Sequence, residues 1–231
     1  MKIMKIKLGK KVLGWVVVVF TIPSLIFNFF LFQKYQGEKE KNMVLVIDVL
    51  DGDTFITDDG ERLRLLNVNA PELELCGGKE SKKRLEELIK SRKVSVERVT
   101  TDVYERSLVM VYAGDELINR VMLAEGWGVY GARKIPESEE FKKLQQKAKE
   151  EKLGIWGPEC YQKENLDNPE CSIKGNINRN TKTKFYHFPG CSTYAPAVVE
   201  KFNGDQWFCS EKEAQKAGFT KSEGCFGKKY K

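Results

Sequence analysis

The sequence predicts an α+β protein, and three observations predict it. Five short strand-like runs broken by turn residues occupy the stretch from residue 43 to 113. Three helical patterns, with apolar residues at i, i+3 and i+4, fall between and after them. A single uncharged apolar run lies ahead of both, too long to belong to the same small core. Elements of this kind suit a small antiparallel barrel with helices packed outside it.

The apolar run, residues 12–32, has 21 positions without a charge, enough for a helix across a hydrocarbon core of about 30 Å. Five lysines precede it, which predicts a cytoplasmic N-terminus and export of everything that follows. The flank Phe32-Gln-Lys-Tyr-Gln-Gly-Glu38 lacks the small-residue pair of a cleavage site. A retained single-pass anchor in the cell membrane, within residues 1–36, is therefore expected over secretion after signal cleavage. Gln33 to Asn42 is a short charged linker. Met43 to Leu50 reads as the first strand, with Val44, Val46 and Asp48 on one face.

Two runs, Thr54 to Thr57 and Arg62 to Asn67, flank Asp58-Asp59-Gly60, a hairpin signal because a tight turn needs positive φ. With Asp59 and Gly60 as a two-residue turn, Phe55 faces Arg64 and Asp53 faces Leu66. Asp53 and Arg64 then share one face as diagonal neighbours, roughly 7–8 Å apart, a gap that suits a metal ion and a phosphate. Pro71 removes a donor and forces Ala70 to be extended, so Glu72 arrives on a loop just past a strand end. Gly78 to Ile89 is an amphipathic helix with Leu85, Leu88 and Ile89 inward. Val94 to Val99 and Leu108 to Ala113 are the last two strands. Leu117 to Glu125 is a helix with Leu117, Val121 and Ala124 inward, ended by Gly126. Glu137 to Lys152 is the third helix, with Phe141, Leu144 and Ala148 as its stripe.

Gly157 to Cys171 reads as a linker, and residues 172–231 as a small α+β module. Lys184 to Cys191 and Gln206 to Cys209 are its aromatic strands. Ser210 is a natural N-cap for Glu211 to Ala217, with Glu213 at the capping-box position.

The formal charge of +6 has the sign of a nucleic-acid footprint, but its distribution excludes binding by bulk charge. Residues 1–36 and 172–231 each carry +6, and the stretch between them carries −6. Any polyanion held by the middle domain must be held by local arginines and a bound cation. Six cysteines, at 76, 160, 171, 191, 209 and 225, are an even number in an exported chain and read as disulfides. One pairing has an argument behind it: Cys76 follows the Glu72 loop and Cys160 follows the last helix, so a bridge would tie the two. His187, Cys191, Cys209 and Cys225 are the alternative, a zinc set in the C-terminal module.

Asp51-Gly-Asp-Thr54 followed by Arg64-Leu-Leu-Asn-Val-Asn-Ala-Pro-Glu72 resembles the signature of the staphylococcal nuclease (thermonuclease-like) family. Thr101-Asp-Val-Tyr-Glu-Arg-Ser-Leu108 is similar to that family's second arginine segment, and Leu153-Gly-Ile-Trp156 to the end of its domain. The resemblance covers residues 43–158 and implies an OB-type five-stranded barrel with three helices. It implies that Asp53 is a calcium ligand. Asn69 stands where the family usually has a second metal-binding Asp, and Ala70 where it offers a backbone carbonyl. Arg64 and Arg106 would hold the phosphate and stabilise its transition state, and Glu72 would orient or deprotonate the attacking water. Tyr104 would contact a phosphate or a base. The products would be 3′-phosphates and 5′-hydroxyls from DNA or RNA. The C-terminal segment resembles a module often appended to exported thermonuclease-like domains, and faintly the small zinc-binding domain of an alkylation-repair methyltransferase.

The implied function is a membrane-anchored, outward-facing, calcium-dependent nuclease. The alternative is a non-catalytic OB-fold module that binds nucleic acid or a protein partner at the cell surface, its arginines merely paired with Asp102 or Glu105. The set Arg64, Glu72 and Arg106 separates the two, because a binder has no use for that carboxylate.

Overall fold

In the computed structural model, which describes residues 23–31 and 42–230, the barrel starts at β1 (Met43–Val49). β1 pairs antiparallel with β2 (Thr54–Thr57), and β2 with β3 (Arg62–Leu65). A two-residue strand β4 (Val68–Asn69) follows, then helix α1 (Gly78–Ile89). β5 (Lys93–Thr101) and β6 (Ser107–Ala113) form an antiparallel pair, and β7 (Glu116–Leu117) extends it. Helix α2 (Ile118–Ala124), strand β8 (Val129–Tyr130, paired with β4) and helix α3 (Ser138–Glu150) complete this part. The sheet order is β3-β2-β1-β5-β6-β7, and a parallel pairing of β3 with β6 closes five strands into a ring. That closed, mixed five-stranded barrel with helices outside is the OB-type architecture.

The core confirms the strand and helix periodicities, with three local corrections. Phe55, Leu63, Leu65, Val109 and Val111 fill the barrel, and Leu85, Leu88 and Ile89 of α1 and Phe141 of α3 cover it. Each fully buried side chain of this size is worth about 1.5–3 kcal/mol of transfer free energy. In β1 a bulge between Val46 and Asp48 breaks the alternation expected there. Val46 and Val49 are buried, Ile47 is exposed, and Asp48 pairs with Lys90 of the α1 terminus. Of the expected Leu117, Val121 and Ala124, Leu117 is buried and Val121 is half-buried against the core, but the fully buried residues of α2 are Ile118, Asn119, Met122 and Leu123, one step round. A polar residue holds the inward position there, which an apolar pattern does not reveal. The hairpin is also one residue longer than expected. Thr54 lies opposite Arg64 and Phe55 opposite Leu63, so the loop is Asp58-Asp59-Gly60 with Gly60 at φ 84°. This is the three-residue hairpin, which places its glycine in the left-handed region.

The chain divides into two units, Met1–Met43 and Val44–Lys231. In the first, residues 23–31 form a helix opened by Pro23, with Leu25, Ile26, Phe27, Phe29, Phe30 and Leu31 exposed. The rest of the expected span, residues 12–22 and 32, lies outside the described residues. Among the described residues no helix is long and apolar enough to cross a membrane.

The second unit runs through the segment expected as a linker. β9 (Tyr161–Gln162) lies in it, followed by β10 (Ile173–Ile177), β11 (Lys184–His187), β12 (Val199–Glu200) and β13 (Gln206–Phe208). Helix α4 (Glu211–Lys216), β14 (Thr220–Lys221) and a 3-10 turn over Glu223–Cys225 follow. The C-terminal sheet has the order β13-β10-β11-β14, and β9 pairs with β12. Ser210 caps α4 by accepting from the Glu213 amide at 3.2 Å, and the Glu213 carboxylate accepts from the Cys209 amide at 2.8 Å.

All six cysteines are bridged: Cys76–Cys160, Cys171–Cys209 and Cys191–Cys225. The argued bridge forms. The zinc alternative fails, because its three cysteines have no thiolate to offer. Cys191 and Cys225 close on each other, Cys209 is taken by Cys171, and His187 Nδ1 bonds the Thr193 hydroxyl at 2.7 Å.

Candidate active site

Barrel closure is what assembles the site. The β3–β6 register puts Arg64 opposite Leu108, so the loop entering β6 stands beside β3 and brings Arg106 to the same mouth as Arg64. The β4–β8 pairing turns the chain after β3 and delivers Asn69, Ala70 and, past Pro71, Glu72. A cleft of about 970 Å³ opens there, lined by Asp51, Arg64, Asn69, Glu72, Asp102 and Arg106 among others.

Asp53 sits behind this lining at 2 % exposure. One carboxylate oxygen accepts from Arg64 Nη1 and from the Thr54 hydroxyl at 2.8 Å, and the other from the Ala70 amide at 2.9 Å. Arg64 Nη2 donates to Asn69 Oδ1 at 3.1 Å, so the guanidinium forks across the two side chains. The diagonal gap expected between Asp53 and Arg64 is thus a direct ion pair. The longer hairpin loop sets Arg64 opposite Thr54, and Asp53, in the bend just before β2, turns its carboxylate to meet the guanidinium. Burial pushes the Asp53 carboxyl up to about 7, against the pull of Arg64 and of the Ala70 and Thr54 donors. Asp51, which accepts from the Asp53 amide at 2.9 Å, raises it further.

Arg106 is held by Asp102, which accepts from its Nε at 2.8 Å, its Nη2 at 2.7 Å and its backbone amide at 3.0 Å. Asp102 also accepts from the Tyr104 amide at 2.8 Å. Burial works to raise the Asp102 carboxyl, but these bonds outweigh it and leave it below its ordinary value. The loop so tied turns at Glu105, whose φ is 62°. It projects Tyr104 into solvent at 76 % exposure, with the Arg106 guanidinium 5.4 Å from its ring centre. Tyr104 therefore stands on the rim rather than in the core. Glu72 is exposed and faces the cleft.

The arrangement brings Arg64, Asn69, Glu72, Tyr104 and Arg106 to one cleft, with Asp53 directly beneath. Sequence reasoning gave no site role to Asp51, or to Asp102 beyond a plain ion pair. The Asp-Gly-Asp spacing of 51–53 and the Asp-x-x-x-Arg spacing of 102–106 were the available signals. Oxygen donors at the mouth include the carboxylates of Asp51 and Glu72 and the side-chain amide of Asn69, with the Asp53 carboxylate behind them. This all-oxygen set fits a hard cation such as calcium rather than a thiolate-seeking metal. Among the described residues no three His, Cys, Asp or Glu side chains converge, so a cation here depends on the Asn69 amide oxygen as well.

A family profile described as staphylococcal nuclease homologue matches residues 62–158. A thermonuclease of Staphylococcus intermedius is 30% identical over 162 residues, spanning 62% of this chain and 95% of that protein. An uncharacterized endonuclease of Haemophilus influenzae is 30% identical over 122 residues, covering 51% and 68%. A micrococcal nuclease of Shigella flexneri is 30% identical over 124 residues, covering 48% and 71%. An OB-type barrel with paired arginines and a carboxylate at its mouth, in a chain with such relatives, defines a phosphodiester hydrolase. The chain belongs to the family of staphylococcal nuclease homologues.

Proposed function

We propose that this protein is a calcium-dependent nuclease that cuts DNA or RNA outside the cell while tethered to the membrane. The tether would be residues 1–36, the catalytic domain 43–158, and residues 172–231 a C-terminal module. The observation that carries the catalytic reading is the convergence of Arg64, Glu72 and Arg106 on one cleft. A phosphodiester is an anion whose charge grows on its equatorial oxygens as water attacks, and two guanidinium groups neutralise that charge. Arg106 is pre-oriented by Asp102, so little reorganisation is needed when phosphate arrives. Glu72, exposed at the same cleft, orients the attacking water and accepts its proton. Asp53, the Asn69 amide oxygen and the Ala70 carbonyl would hold calcium, which when bound polarises the phosphoryl oxygen. Arg64 bonds both Asp53 and Asn69, so its turning toward phosphate would free oxygens on each.

Export and tethering rest on the lysines ahead of the uncharged run 12–32, and three disulfides support an oxidising compartment. The test is hydrolysis of DNA and of RNA by the purified protein, in calcium and in excess chelator. Activity should require calcium, and Glu72→Gln or Arg106→Ala should lower kcat by about 10²–10³-fold. Full activity of either variant, or of the protein in chelator, would overturn the assignment.

A further inference from the structure

We infer that the C-terminal module buttresses the loop carrying Glu72, and that Phe202 is a positioning residue for that carboxylate. The proposal rests on the reading of Glu72 given above and adds to it a role for a part of the chain outside the catalytic barrel.

Two contacts run from the module to the loop. The first passes through the hydrophobic cluster of Ala148, Ile155, Trp156, Cys160 and Phe202. Phe202 comes from the turn after β12 and meets the Trp156 ring edge-on at 5.1 Å between centroids. The next residue back, Lys201, donates its amide to the Cys160 carbonyl at 2.8 Å. Cys160 is bonded to Cys76, four residues after Glu72. The second is a close approach. A Cβ built on Gly204 would lie 4.0 Å from Leu75 Cδ2, so the same turn passes beside the loop. Leu75 in turn donates its amide to the Glu72 carbonyl at 2.9 Å, and Gly78 donates to the Leu75 carbonyl at 3.0 Å.

The packing leaves this loop little room of its own. A side chain on Gly78 would strike the Glu72 carbonyl, and one on Gly77 would meet Ile155 Cγ2 at 2.6 Å. Trp156 has its indole nitrogen buried without a hydrogen-bond partner among the described residues, so its ring is held by its neighbours, with Tyr161 5.6 Å away between centroids and the Lys149 ammonium 5.3 Å from its centre. Phe202 supplies one side of that packing. Removing it loosens the packing of Trp156 and Cys160 and, through the bridge, the backbone on which Glu72 stands. A carboxylate that must meet a water at hydrogen-bond distance is sensitive to displacements of an ångström or less.

The test combines kinetics with amide hydrogen exchange on the full chain. Phe202→Ala should lower kcat about tenfold with KM little changed, because substrate binding stays with the arginines. In a Glu72→Gln background the same substitution should change the remaining rate by less than about twofold, since a residue acting through Glu72 has nothing left to position. Phe202→Leu, which retains apolar volume, keeps the test open should the alanine variant not fold, and should show the same pattern at smaller amplitude. Exchange should quicken at the Leu75 and Gly78 amides while those of Leu66 and Val111 in the barrel keep their protection. An unchanged kcat, equal losses in both Glu72 backgrounds, or a uniform loss of protection would overturn the proposal. Should Glu72→Gln itself keep full activity, the catalytic reading fails instead, and the exchange pattern still decides whether the module supports the loop.

Discussion

Arg64 divides its guanidinium between Asp53 and Asn69, and that fork sets what a substitution at position 69 does. An aspartate there would add a charge that both Arg64 and a calcium ion want. On the proposed function, the cation carries twice the charge of the guanidinium, so the added carboxylate would favour it more. Repulsion from Asp53 reduces the gain without reversing it. Asn69→Asp should therefore lower the calcium concentration giving half-maximal activity and leave the saturated rate similar. A calcium titration of both proteins at fixed ionic strength checks this, and an unchanged or raised midpoint would mean that position 69 does not serve the cation.

At the scale of elements, α2 is joined to the barrel by one buried side chain. Asn119, at 0 % exposure, accepts from the Val111 amide at 3.0 Å and donates to the carbonyls of Leu66 at 2.9 Å and Val109 at 3.0 Å. It therefore ties the helix to β6 and to the segment leaving β3, next to the closure that sets Arg64 beside Arg106. In Asn119→Leu the Val109 carbonyl keeps the Leu66 amide at 2.8 Å, but two buried backbone groups, the Val111 amide and the Leu66 carbonyl, lose that partner. Each costs about 1–3 kcal/mol before relaxation, so a total loss of about 3–5 kcal/mol is expected from denaturant unfolding. A loss below about 1 kcal/mol would show that the backbone groups find other partners on relaxation. The same element scale explains the misread stripe of α2: periodicity counts apolar residues, and the inward position here is an amide.

At the scale of the whole molecule, the Cys76–Cys160 bridge spans a sequence separation of 84 and joins the Glu72 loop to the segment after α3. Closing a loop of that length in the unfolded chain is worth about 4–5 kcal/mol in the chain-entropy picture. The double variant Cys76→Ser/Cys160→Ser should lose a large part of that in equilibrium unfolding. Non-reducing peptide mapping of the purified protein should recover the pairs 76–160, 171–209 and 191–225, and a different set would contradict the arrangement of the C-terminal sheet. The charge distribution belongs to this scale too. A barrel region of net negative charge would, on the proposed function, hold a polyanion through its two placed arginines, with basic stretches outside it.

The sequence by itself determined the elements and the chemistry they carry. Alternation and helical spacing marked the strands and helices, Pro71 marked where the chain leaves the sheet, and the run from Asp51 to Glu72 marked the residues of the site. These are local signals, written in residues a few positions apart. Tertiary structure decided what depends on pairings across the chain. One extra residue in the hairpin loop set Arg64 opposite Thr54, and the bend before β2 turned Asp53 to meet it as an ion pair. The parallel closure of β3 on β6 brought Arg106 to the mouth from more than 40 positions away. The supposed linker became β9, and Phe202 found a place against Trp156, because apolar surface left exposed by two small cores is best buried by joining them. Register and docking are selected by packing over the whole molecule, and no local pattern encodes that choice.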